Sequence, residues 1–97
     1  MITSKQRAAL RKMGHDLDTI YQIGKGGMSD ELLRGITDAL EARELIKCRT
    51  LDMCEYSSKE AANLIADAVG ADVVSVVGSR FVLYKQSSKE KNRKIEK

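Results

Sequence analysis

Residues 19–31 read Thr-Ile-Tyr-Gln-Ile-Gly-Lys-Gly-Gly-Met-Ser-Asp-Glu, which predicts a strand, a glycine-rich loop and the start of a helix. The loop is Gly24, Lys25, Gly26 and Gly27. Glycines at such a junction let the backbone approach a ligand that a Cβ atom would keep away. The lysine adds a positive charge that suits phosphate. Because some small RNA-binding modules clamp a nucleic-acid backbone with a G-x-x-G loop, RNA is the first candidate partner.

Upstream of this junction the chain predicts an amphipathic helix. Thr3 followed by Gln6 is a capping box, which marks a helix start. Gly14 lies within the helix and predicts a local weakness. We expect one face, at helical spacing, to be buried: Gln6, Ala9, Leu10, Met13 and Leu17.

Downstream of the junction a second helix begins at Ser29 as N-cap and ends near residues 43–44. Its buried face is expected to be Leu32, Leu33, Ile36, Ala39 and Leu40. A strand over residues 45–51 follows. Because side chains alternate along a strand, Ile46 and Cys48 should face one way, and Lys47 and Arg49 the other.

A third helix is predicted between the capping box of Ser57 and Glu60 and a C-terminal Gly70. Its expected buried face is Ala61, Leu64, Ile65 and Ala68. Two apolar runs, residues 73–77 and 80–84, are then joined by Gly78-Ser79, which predicts a type II′ hairpin.

The predicted fold class is α/β, with the element order α-β-α-β-α-β-β. Single helices between strands favour parallel pairing through crossovers, whereas the hairpin is antiparallel. We therefore expect a mixed four-stranded sheet packed with helices. A chain of 97 residues is long enough for one core, and we assign residues 1–85 to a single domain.

Composition argues against several classes of function. No run approaches the ~18 apolar residues of a membrane-spanning helix, and the N-terminus lacks the apolar segment of a secretory signal. We therefore expect a cytoplasmic monomer with no membrane partner. The spacing of Cys48 and Cys54 matches neither zinc nor redox motifs, and there is one histidine, so no metal or cofactor is expected.

Positive charge is concentrated at the C-terminus. Residues 1–84 hold 11 Lys/Arg and 12 Asp/Glu, whereas residues 85–97 hold 6 Lys/Arg and 2 Glu. We expect residues 86–97 to form a basic, disordered tail, because such a segment cannot bury enough apolar area to fold alone. It is equally suited to tethering RNA and to keeping the protein in solution.

Basic residues also recur on the predicted helices and strands. As RNA-binding candidates we take the loop glycines with Lys25, and a further set: Lys5, Arg7, Arg11, Lys12, His15, Lys47 and Arg49. Each short basic run alone is the usual solvated face of a helix or strand. Several runs in a body of slightly negative net charge indicate an electropositive surface. The acidic start of the second helix, Asp30 and Glu31, would repel a phosphate placed directly on that helix end.

Several of these segments resemble the chloroplast RNA splicing and ribosome maturation domain, or CRM domain, in its stand-alone bacterial YhbY-like form. The resemblance lies in Lys5-Gln6-Arg7, Leu10-Arg11, His15, residues 22–27, Ala39-Leu40, residues 44–47, Val77-Gly78 and residues 82–85. It implies a fold like the C-terminal domain of translation initiation factor three. It also implies RNA binding through the loop and association with precursors of the large ribosomal subunit.

Two other classes of function stay open. A protein-interaction adaptor with incidental RNA affinity could use an exposed sheet edge or the first helix. An enzyme would need a nucleophile and an oriented base, and nothing in the sequence nominates a nucleophile near His15. Neither alternative accounts for the glycine loop and the basic runs together, so we expect a non-catalytic RNA-binding protein.

Overall fold

The computed structural model describes residues 2–24 and 29–86, and these form the predicted series of elements. In chain order they are α1 (Ser4–His15), β1 (Thr19–Ile23), α2 (Asp30–Arg43), β2 (Leu45–Thr50), α3 (Ser58–Val69), β3 (Asp72–Val77) and β4 (Arg80–Tyr84). The α/β class and the single four-stranded mixed sheet are confirmed. No helix within the described ranges is long and apolar enough to cross a membrane.

The strands lie in the order β1-β2-β4-β3. β1 and β2 are parallel and are connected through α2, as a crossover requires. β4 runs antiparallel to both of its neighbours. The hairpin between β3 and β4 turns at Gly78 and Ser79, and only Gly78 has a positive φ, of 59°, as a type II′ turn requires.

Helices cover both faces of the sheet. α2 and α3 pack on one face, where Ile46 and Cys48 of β2 and Phe81 and Leu83 of β4 are buried in the larger core. α1 packs on the other face over a smaller core: Leu10, Leu45, Val74, Val82 and Tyr84. The predicted alternation along β2 is confirmed, because Lys47 and Arg49 are only half-buried while Ile46 and Cys48 are buried.

The helix starts lie where the sequence predicts them. Both capping boxes form, with Thr3 and Gln6 at α1 and with Ser57 and Glu60 at α3. The hydroxyl of Ser29 accepts from the Leu32 N–H over 3.0 Å at the start of α2. These side chains satisfy N–H groups that have no partner within the helix.

The predicted buried face of α1 is partly wrong. Ala9 and Met13 are exposed, and the fully covered residues are Leu10 and Gly14. Gly14 also has a packing role that the sequence did not predict, because a Cβ atom there would lie 2.9 Å from Cγ1 of Val82. The helix therefore rests on β4 through a residue without a side chain, and this close approach leaves its flanks exposed.

The predicted buried face of α3 is also partly wrong. Leu64 and Ala68 are exposed, while Ala62, Ala66 and Val69 are buried beside the correctly predicted Ala61 and Ile65. The helix contacts both the sheet and α2, so its buried stripe is wider and turned relative to the predicted one.

Candidate nucleic-acid interface

α1 crosses its face of the sheet obliquely and is attached at three points. The Arg7 guanidinium donates a hydrogen bond to the Val73 carbonyl on β3. Gly14 lies against Val82 on β4, and Lys47 Nζ on β2 donates to the His15 carbonyl over 3.1 Å. The helix thus runs from β3 across β4 to β2, and the far end of the same face stays uncovered.

Two arginines lie side by side at this uncovered end. Arg49 of β2 is the Cα partner of Arg80 of β4, and Arg80 is the partner of Val77 on β3. Gln22 of β1 is the parallel partner of Arg49 on the other side. The row Gln22, Arg49, Arg80 and Val77 therefore spans all four strands on one face.

Arg49 also carries a donor that lacks an acceptor. Its Nε atom is buried and makes no hydrogen bond among the described residues. A buried donor left without a partner costs free energy, and an acceptor such as a phosphate oxygen would reach this Nε atom only after the Arg49 side chain moves.

A cavity of about 220 Å³ opens between α1 and the sheet beside this row. Its lining combines basic and apolar side chains, and none of the lining residues is acidic: Arg11, Gly14, His15, Lys47, Ser75, Val77, Arg80 and Val82. The cavity and the arginine row together form what we call the basic face, defined by Arg11, His15, Lys47, Arg49 and Arg80.

The glycine loop leaves the sheet next to this face. The carbonyl of Ile23, the last residue of β1, accepts from the Leu51 N–H over 2.9 Å. Gly24 follows, so its Cα lies at the carboxyl end of β2, just beyond Arg49. Lys25, Gly26 and Gly27 lie outside the described residues. The beginning of the loop therefore lies at the same sheet end as the arginine row.

The predicted basic residues of α1 divide into two groups. Arg11 and His15 line the cavity, and Arg7 is half-buried at β3. Lys5 and Lys12 are exposed. At about 100° per residue they project from the side of the helix opposite Leu10 and away from the sheet. The fold thus groups Arg11, His15, Lys47 and Arg49 and leaves Lys5 and Lys12 apart from them.

A second cavity, of about 200 Å³, differs in charge. It lies where α1 leads into β1 and is lined by Asp16 and Asp18 together with Arg43 and Lys47. His15 Nδ1 lies 3.4 Å from Asp16 Oδ1 at the edge of this region. Mixed charge makes the second cavity a poor site for a polyanion compared with the basic face.

Cys48 and the possible metal ligands of the described residues were the groups in which chemistry would be sought. Cys48 is buried, and loss of solvation raises the pKa of its thiol to about 12, so the reactive thiolate is disfavoured. Within residues 2–24 and 29–86, no three His, Cys, Asp or Glu side chains are grouped so that they could hold a metal ion.

The sequence pattern of the CRS1/YhbY (CRM) domain matches residues 2–85, a range that includes all three helices and all four strands. The chain belongs to the CRM domain family.

Several known proteins resemble this chain over most of its length. The Bacillus subtilis protein named "Probable RNA-binding protein YqeI" is 41% identical over 96 residues, which is 99% of this chain and 98% of the relative. A Haemophilus influenzae protein named "RNA-binding protein" is 28% identical and is matched over 93% of this chain and 91% of its own. The solution structure of the hypothetical protein SAV1595 from Staphylococcus aureus has a TM-score of 0.77 at 37% identity, with 99% and 100% of the two chains covered.

One basic residue of this CRM domain was missed by the sequence analysis. Arg80 shares the cavity lining with Arg11 and pairs with Arg49, but it stands alone in sequence after Gly78-Ser79. Alternation offered a signal: Phe81 and Leu83 face the larger core, so Arg80 and Val82 face the side of α1. The strand order that brings Arg80 beside Arg49 was not predicted.

Proposed function

We propose that this protein binds RNA through its basic face and acts in the assembly of the large ribosomal subunit. The observation that carries the proposal is the convergence of Arg11, Lys47, Arg49 and Arg80, with His15, on one open face beside the start of the glycine loop. These residues come from one helix and two strands that are far apart in sequence.

Charge on this face is unlike that of the rest of the body. Residues 1–84 hold one more Asp/Glu than Lys/Arg, yet the cavity lining contains three Lys/Arg residues, His15 and no acidic residue. Phosphate groups are the natural counter-charge for such a surface, and releasing the counterions of a nucleic acid drives its binding. Arginine side chains strengthen phosphate binding further, because one guanidinium group can donate two hydrogen bonds to two oxygens of the same phosphate.

Family membership supports the choice of RNA, since the relatives bear the name RNA-binding protein. The ribosomal part of the proposal rests on the resemblance to the stand-alone YhbY-like form of the CRM domain. We propose that the protein works as a cytoplasmic monomer, with the glycine loop of Gly24, Lys25, Gly26 and Gly27 approaching the RNA backbone and the basic face holding adjacent phosphates.

The salt dependence of RNA affinity tests the electrostatic part. With about five phosphate contacts, the log-log slope of affinity against salt should be roughly −3.5 to −4.5. Arg11→Gln should reduce the number of phosphate contacts derived from the slope by nearly one. Lys12 lies next to Arg11 in sequence but on the outer side of α1, so Lys12→Gln should change the slope less. A slope near zero, or equal effects of the two variants, would remove the basic face from the RNA site.

Sedimentation of the tagged protein from lysate tests the ribosomal part. Migration with large-subunit precursors that is lost after ribonuclease or at high salt is the expected result. A complex that survives both treatments would instead favour a protein-interaction adaptor. β3 is an edge strand with Val76 and Val77 exposed, so it is the surface such an adaptor would use.

A further inference from the structure

The cavity under α1 has two chemically distinct parts. What we call the floor is its apolar part, which consists of Gly14, the almost fully buried Val82 and, at the open end, the exposed Val77. Its rim consists of the cationic side chains of Arg11, Lys47 and Arg80 together with the imidazole of His15. A site for phosphate alone would not need the apolar floor, and a site for a hydrocarbon would not carry the cationic rim.

We propose that this cavity receives one unstacked nucleotide of a single-stranded RNA, with the base on the valine floor and its phosphate at the arginine rim. The inference deepens the proposed RNA-binding function by naming what enters the basic face. It commits this site to single strands, because a base inside a duplex has no exposed face to lay on Val77 and Val82.

Size agrees with a single nucleotide fragment. Pockets for drug-sized ligands occupy about 300–1,000 Å³, and this one is about 220 Å³. We assign one base to this cavity, with the remainder of the RNA passing over the arginine row and towards Gly24.

The residues around the cavity are arranged for this ligand. Val77 is 73% exposed although it is apolar, so a base laid on it would remove aliphatic surface from water. Arg80, its Cα partner on β4, can lay its guanidinium plane against the base or hold the phosphate. Ser75, on the same strand face, provides a hydroxyl that can both donate to and accept from a base edge.

Lys47 removes an obstacle to anion binding. The carbonyl end of α1 carries partial negative charge, which would repel a phosphate. Lys47 Nζ donates to the His15 carbonyl at that end, and its ammonium group has three donors, so others remain for the ligand. The helix end is thereby made compatible with an anion.

A nucleotide titration followed by NMR tests the cavity directly on the full-length protein. Adenosine 5′-monophosphate should shift the methyl signals of Val77 and Val82, while ribose 5-phosphate, which lacks the base, should shift them much less. Val77→Glu should lower nucleotide affinity by about tenfold, because it replaces the aliphatic surface under the base with a carboxylate that also opposes the positive charge of the rim. Val76→Glu is the matched control, since its side chain lies on the opposite face of β3 and should leave affinity unchanged.

A second measurement separates this inference from RNA binding in general. Single-stranded oligoadenylate should bind more tightly than its duplex with oligouridylate, and Val77→Glu should abolish that preference. The nucleotide cavity is wrong, while the RNA-binding function stands, if oligoadenylate binds but adenosine 5′-monophosphate and ribose 5-phosphate shift the valine methyl signals equally. The same conclusion follows if oligoadenylate binds and Val77→Glu and Val76→Glu behave alike. If the mononucleotide binds with base-dependent shifts and no RNA oligomer binds, the cavity stands and the proposed function fails.

Discussion

Arg49 of β2 and Arg80 of β4 are Cα partners in the antiparallel ladder, so two guanidinium-bearing side chains leave the same face of the sheet side by side. Like charges placed directly opposite each other on two strands destabilise a sheet. The arrangement therefore costs folding stability, and a bound polyanion would offset that cost. Residues that lower the stability of a fold are often present because function requires them.

Removing one of these charges should stabilise the free protein. We expect Arg80→Gln to raise the free energy of unfolding by roughly 0.2–1 kcal/mol at low salt, and the gain should shrink as salt screens the repulsion. The same variant should bind RNA more weakly. Arg34→Gln is the control, because Arg34 is exposed inside α2, away from the helix ends and behind the other face of the sheet. Urea unfolding at low and high salt measures the effect, and a loss of stability in Arg80→Gln would contradict it.

Gly14→Ala should destabilise the protein even though alanine is the better helix former. Helix propensity alone predicts a gain of about 1 kcal/mol. The added Cβ would lie 2.9 Å from Cγ1 of Val82, and overpacking of this kind costs about 1–3 kcal/mol. Asn63→Ala, at an exposed position inside α3, should show the propensity gain without the clash.

A double substitution distinguishes the clash from other causes. Combining Gly14→Ala with Val82→Ala should cost less than the sum of the two single changes, because the new methyl group would enter the space that Val82 vacates. Strictly additive free energies of unfolding would show that the two residues do not interact.

Cys48 should be protected from thiol reagents in the folded protein. Burial raises its pKa from the ordinary 9.0 to about 12, so we expect an aromatic disulfide reagent to label the half-buried Cys54 first and Cys48 only on unfolding. Between pH 9 and about 12 the unfolded thiol loses its proton while the folded one keeps it, so stability should fall as pH rises in this window. Cys48→Ala should remove that part of the pH dependence, and rapid labelling of Cys48 in a Cys54→Ser background would contradict its burial.

The two capping boxes should respond differently to acid. Hydrogen bonds from the backbone N–H and the hydroxyl of Ser57 hold the pKa of Glu60 below its usual range, while α1 has Gln6 in the equivalent place. Because the folded pKa is the lower one, the stabilisation by Glu60 is present at neutral pH and is lost as pH falls through that value.

Glu60→Gln tests this assignment, since glutamine keeps an oxygen acceptor for the Ser57 N–H but does not titrate. We expect its unfolding free energy to decline less than that of the original protein between neutral and acidic pH. Equal declines in urea titrations would place the acid sensitivity on other groups.

The candidate site was predictable where it depends on alternation and not where it depends on strand order. Lys47 and Arg49 follow from the two-residue period of a strand, and both lie on the predicted face. Arg80 could be placed on a face but not beside Arg49, because many strand orders satisfy the same hydrophobic pattern. The loop residues 25–27 stay a prediction.

The sequence by itself determined the order of elements, the capped helix starts, the crossover from β1 to β2 and the Gly78 turn. Each depends on residues within a few positions of one another or on an unavoidable feature of chain geometry. Only the tertiary structure decided that β4 lies between β2 and β3, that Gly14 rests on Val82, and that Arg11 faces the sheet while Lys12 faces away. Those choices follow from the packing of side chains distant in sequence, whose many small contacts add up only once the whole sheet and α1 are in place.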